Sequence, residues 1–361
     1  MVGRAGGLSR GVRSGPPVVI VTVLVLLAGL VAALTGCSPG AGLSGPGAAT
    51  SSGSNLGSSP GSSPGSSATG PGAGASGSAA AAAAPDWVTS ALVDNPVWEL
   101  PDVQVRHADK GAQPGEVAVV SNLPADQGAE VAAAGAQAVA AVRSAWHRPW
   151  NGRLLIVAPA DRAQWARVAG MPRASAATPG AAAGAPAPDD GVAPAMTVPG
   201  ADGSSVVVLD PVAWESATGT GRRALVIHEA VHVAVRADPA SPGVGAEAAA
   251  PAWLSEGFAQ WVAYEAVGVG PDAVAGDLLA RVRAHGPPER LPVQADFEGP
   301  VSSRLDAYAG AWLACRTLAQ RAGAQAPRVA MEAGSVSAAG LDEGTLTRDW
   351  RAELRRLADA G

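Results

Sequence analysis

The segment from Gly221 to Arg236 constrains the fold more than any other part of the chain. Leu225, Val226, Ile227, Val231, Val233 and Val235 would clothe a helix there on nearly every side, interrupted only by His228, Glu229 and His232. A helix that is apolar almost all round has to be buried. Polar side chains carried into a core must be paired there or bound to something. The chain therefore has to cover this helix and also provide a partner for three polar groups.

His228-Glu229-Ala230-Val231-His232 matches H-E-x-x-H, a spacing that sets both imidazoles one turn apart on the same helix face. Such a pair suits a zinc ion, Zn2+, which in a catalytic site takes a third protein ligand and keeps one position open for water. Further along, Trp253-Leu254-Ser255-Glu256-Gly257-Phe258-Ala259 offers Glu256 as that third ligand. Pro251 fits the first turn of this second helix, which is expected to run to about Val267 and stop at Gly268. Gln260 lies one turn beyond Glu256, either accepting from an imidazole N–H or simply solvated. Glu265 is an alternative carboxylate, less well spaced.

Together the two segments resemble the gluzincin zinc metallopeptidases, the group that contains thermolysin and the membrane-alanyl-type aminopeptidases. The resemblance implies an α+β, zincin-like fold with a mixed, mostly antiparallel sheet and the zinc helix in one lobe, a helical C-terminal lobe, and a cleft between. It also implies zinc held by His228, His232 and Glu256, a water activated at the metal with Glu229 as general base, and a peptide or protein substrate. The strand Ser205–Asp210 is then the sheet edge on which an extended peptide pairs its backbone. Tyr308, in Tyr308-Ala309-Gly310-Ala311-Trp312-Leu313, would donate to the developing oxyanion, or is a core aromatic. Asp238–Pro251 reads as a loop inserted between the two motif helices, and no Gly-x-Met-Glu-Asn segment precedes them. Two other functions use the same residues: a non-catalytic metal-binding scaffold lipoprotein, and a zinc hydrolase of a non-peptide cell-wall amide. The intact Glu229 favours catalysis.

At the N-terminus Arg4, Arg10 and Arg13 precede the apolar run Val18–Leu34, which closes on Leu34-Thr35-Gly36-Cys37. This is the layout of a secretory signal over residues 1–36. Its end resembles the lipobox of bacterial lipoproteins, with Cys37 lipidated and the chain held at the outer face of the cytoplasmic membrane; an uncleaved anchor is the alternative. Ser38–Pro85 is nearly all Gly, Ser, Ala and Pro without a charged side chain, so residues 37–85 are expected to be a disordered tether. Residues 86–361 remain for one folded domain. If Cys37 carries lipid, Cys315 has no partner within the chain, which excludes a disulfide framework and leaves Cys315 as a small buried apolar group. The formal charge is −6, and loss of the leader's arginines makes it more negative; no basic patch suggests nucleic acid.

Within that domain, Val103–Arg106, Glu116–Val120, Arg153–Val157 and Ser205–Asp210 read as strands. Ala129–Trp146, Asp161–Ala169, Asp272–Ala284 and Asp342–Ala360 read as helices, and residues 170–200 as a long loop. His285-Gly286-Pro287-Pro288 is a break. Ser303-Arg304-Leu305-Asp306 reads as a capping box opening the helix that carries Tyr308.

Overall fold

The computed structural model describes residues 73–108, 116–170, 193–237 and 250–361. The signal segment, Cys37, most of the tether and residues 238–249 of the inserted loop lie outside the described residues. The last part of the expected tether is helical: α1 spans Ala73–Ala83. A run of alanines has the highest intrinsic helix propensity, and Gly77 lets the helix sit against the backbone of Trp98.

A short helix α2 (Asp86–Ala91) leads to β1 (Gln104–His107) and β2 (Val117–Ser121). Helix α3 (Ala125–Ala145) then crosses to β3 (Leu154–Ala158), followed by α4 (Arg162–Val168). The remaining strands are β4 (Ala195–Pro199) and β5 (Ser205–Leu209). They form one sheet in the order β1-β2-β3-β5-β4. The central strands β2, β3 and β5 are parallel, and β1 and β4 flank them antiparallel. The expected mostly antiparallel sheet is thus an even mixture. Helix α3 supplies the reason, because a strand followed by a helical crossover returns parallel to its predecessor. The valine-rich β2 and the apolar β3 are buried on both faces, as strands covered from both sides must be.

Two further expectations change. Ala195–Pro199, expected within the loop of residues 170–200, is a strand, while residues 171–192 lie outside the described residues. Ser205–Leu209 is not the sheet edge: it pairs with β3 on one side and β4 on the other, so β4 takes the edge. A five-residue strand reached through Ala, Gly and Pro carries too little alternation to announce itself, and only its addition makes β5 interior.

One face of the sheet, through Val119, Ile156 and Val207, packs on α3 and on α6 (Gly219–Arg236). The other, through Val120, Val157 and Val208, packs under Val88, Leu92 and Trp165 of the N-terminal helices. After the short helix α5 (Pro211–Ser216) and α6 come α7 (Ala252–Val267), α8 (Gly276–His285), α9 (Val301–Ala322), α10 (Ala326–Ala333) and α11 (Glu343–Ala360). Val231 of α6, Phe258 of α7, Trp312 of α9 and Trp350 of α11 belong to the same apolar cluster as Val119 and Ile156. The helical C-terminal part continues the core on one side of the sheet.

Candidate metal centre

The sequence of α6 drives it between the sheet and α7, and its polar residues go in with it. His228, Glu229 and His232 are all buried. The two imidazoles turn toward each other, with 2.9 Å between their Nε2 atoms. From α7, Glu256 brings Oε2 to 3.3 Å from Nε2 of His228 and 3.6 Å from that of His232. Ligands about 2.0–2.1 Å from a tetrahedral ion stand roughly 3.3 Å apart, so this triangle has the edges of a coordination polyhedron. The His228-His232-Glu256 group can hold a metal ion. Glu256 is the outermost of the three, its side chain 12% exposed, and marks where the site meets solvent.

Close packing puts Glu256 there. Its neighbour Gly257 meets α9 so tightly that an added Cβ would lie 2.4 Å from the carbonyl oxygen of Ala311 and 3.0 Å from Sγ of Cys315. Gly268, with φ 69°, ends α7 in the left-handed conformation that glycine adopts most readily.

Glu229 stands apart from His228, His232 and Glu256. Its Oε2 accepts a 2.6 Å hydrogen bond from Thr197 of β4, while Oε1 is buried without a hydrogen-bond partner. Burial raises its carboxyl to about 7, against the opposing influence of His232 and Thr197. Burial acts on Glu256 in the same sense, but His232 and His228 outweigh it and hold that carboxyl at about 2. Two carboxylates one helix apart thus differ in proton affinity because only one stands against both imidazoles.

Tyr308 on α9 is buried with its ring edge-on to His228, centroids 6.4 Å apart, and edge-on to Phe297 at 5.1 Å. Burial, reinforced by Glu256 and Glu229, pushes its phenol well above the ordinary range and keeps it a donor. Tyr308 is therefore a core aromatic that also flanks the site. Gln260 is buried, which excludes the solvated reading; its Oε1 accepts no hydrogen bond, so the expected imidazole contact is not formed. Glu265 is exposed and takes no part. Cys315 is free and buried, and burial pushes its thiol up.

Sequence reasoning missed Thr197 and Arg236. Thr197 lies on β4, within the stretch expected to be loop, and Nη1 of Arg236 donates to its carbonyl oxygen at 3.0 Å. The N–H of Asp210 donates to the carbonyl of Pro194, and that of Gly200 to Ser204, which fixes the alternation between β4 and β5. Met196 and Val198 therefore bond inward to β5, and Ala195 and Thr197 turn their backbone groups outward. Among the described residues no strand pairs with that outer edge.

No protein-family model matches the chain, and no curated protein is significantly similar to it.

Proposed function

We propose that the chain is a zinc-dependent peptidase, held at the outer face of the bacterial cytoplasmic membrane by lipid on Cys37. The carrying observation is the meeting of His228, His232 and Glu256 from two helices beside a fourth, differently held carboxylate, Glu229. The anchor rests on Leu34-Thr35-Gly36-Cys37 behind its basic and apolar segments.

Nε2 of each histidine and a carboxylate oxygen of Glu256 would hold the ion. When bound, zinc would polarise a carbonyl and bring the pKa of a water toward about 7. Glu229 takes the proton from the attacking water at its uncommitted Oε1 and passes it to the leaving amine, while Thr197 keeps the other oxygen in place. The Tyr308 phenol donates to charge developing on the scissile carbonyl oxygen.

The deciding experiment loads the protein with zinc and measures hydrolysis of a peptide mixture by wild type and Glu229→Gln. Glu229→Gln should keep its zinc and lose activity by a factor of about 10²–10⁴, the usual contribution of a general base. Equal turnover in both would overturn the assignment. Stoichiometric zinc without turnover in either would favour a scaffold.

A further inference from the structure

Helix α9 carries a second group toward the metal centre. Arg304, Tyr308, Ala311 and Cys315 recur at the spacing of one helix face. Ala311 and Cys315 meet Gly257 next to Glu256, and Tyr308 meets His228, so this face looks onto the site. The adjacent face, through Ser303, Asp306 and Gly310, lines a separate cavity of about 610 Å³. Arg304 is 9% exposed, and its Nε is buried without a hydrogen-bond partner. Its charge is felt at the Tyr308 phenol. Among the described residues it has no ion-pair partner. The Nε edge of this guanidinium is withdrawn from water, and a buried N–H is costly until an acceptor meets it.

The end of the helix points the same way. Asp306 pairs with Arg281 and does not cap α9, so the expected capping box does not form. Pro300 stands at the N-cap with no side-chain hydrogen bond, and the first turn carries no acidic residue. The first N–H groups of this 22-residue helix therefore lack an intrahelical or side-chain acceptor, and they form the positive end of its dipole. Helical side chains lean toward the N-terminus, which carries Arg304 toward that same end.

We propose that Arg304, with the start of α9, binds a carboxylate of the substrate and makes the site selective for peptides that carry one close to the scissile bond. The inference rests on the peptidase reading and names its substrate class. Spacing sets the distance: four residues of helix rise about 6 Å, and an extended peptide advances about 3.3 Å per residue. With the scissile carbonyl at Tyr308, the carboxylate belongs one or two residues away. Either a C-terminal carboxylate or an acidic side chain supplies that chemistry. Arginine suits it, because its fork meets both oxygens at once.

The test is binding, read by calorimetry on zinc-loaded Glu229→Gln protein. Two matched pairs are compared: an alanine tetrapeptide with a free or an amidated C-terminus, and an acetylated, amidated peptide with an internal Glu or Gln. In at least one pair the charged member should bind tenfold or more tightly, and the pair that shows it identifies the source of the carboxylate. Adding Arg304→Met should erase the preference with zinc stoichiometry and circular dichroism unchanged, whereas Arg304→Lys should retain part of it. No preference in either pair, or a preference that survives Arg304→Met, overturns the proposal. If Arg304→Met does not fold, the parent's preference and its weakening in Arg304→Lys decide. Selective binding without cleavage by wild type would sink the peptidase reading alone, while cleavage with no preference for charge would sink this inference alone.

Discussion

Thr197 shows how much one hydroxyl can control at this site. Its 2.6 Å hydrogen bond is the only one that Glu229 receives through Oε2 among the described residues, and a hydrogen bond to a charged group contributes about 1.5–3 kcal/mol. Thr197→Val should lower kcat roughly tenfold or more at unchanged zinc content, and Thr197→Ser should restore most of it; steady-state kinetics with metal analysis checks both. The group that can hold a metal was legible in the sequence because H-E-x-x-H fixes two of its members by helix geometry, and Glu256 sits in a second distinctive run. Thr197 was not legible. It comes from a different element, and nothing in Ala195-Met196-Thr197-Val198 announces that its hydroxyl will meet a glutamate so far along the chain.

Between elements, the tightest joint is the crossing of α7 and α9 at Gly257. An alanine there has to displace the backbone of Ala311, and overpacking of this kind costs about 1–3 kcal/mol. Gly257→Ala should therefore lower stability in a denaturant titration and weaken zinc binding, because Glu256 is the adjacent residue. The joint of α9 with α11 depends on charge. Glu353 of α11 is held below the usual carboxylate range, chiefly by Arg356 on its own helix and also by Arg316 of α9. A depressed pKa contributes stability that is present above the unfolded value of about 4.3 and fades as pH falls through the folded one. Both arginines are partly exposed, so the contribution stays below about 1 kcal/mol. Glu353→Gln should lose that increment above pH 4.3 and converge on wild type below it, which acid-unfolding curves would show. Long, strongly patterned helices such as α11 were legible from their apolar spacing. The start of α9 was not, since Ser303 and Asp306 fit a capping box while the helix has its N-cap at Pro300 and gives Asp306 to Arg281.

At the scale of the whole molecule, a metal at His228, His232 and Glu256 would tie α6 to α7 within a core that runs from the sheet to α11. Zinc at a hundredfold excess over Kd should add about 2.7 kcal/mol of stability, visible as a rise in Tm that a chelator reverses. His232→Ala should abolish that rise. The overall class, helices with a mixed sheet, was legible in the sequence, whereas the continuity of the apolar core from sheet to C-terminal helices was not. Hydrophobic patterning tells which residues are buried, yet it does not tell whether two groups of buried residues share one interior. Here they share it, and this has a mechanical consequence. Among the described residues one apolar cluster joins the sheet to the C-terminal helices, so moving one against the other would expose apolar surface. A ligand must be received by a surface already in shape, and small-angle X-ray scattering should return the same radius of gyration with the site empty and with it filled.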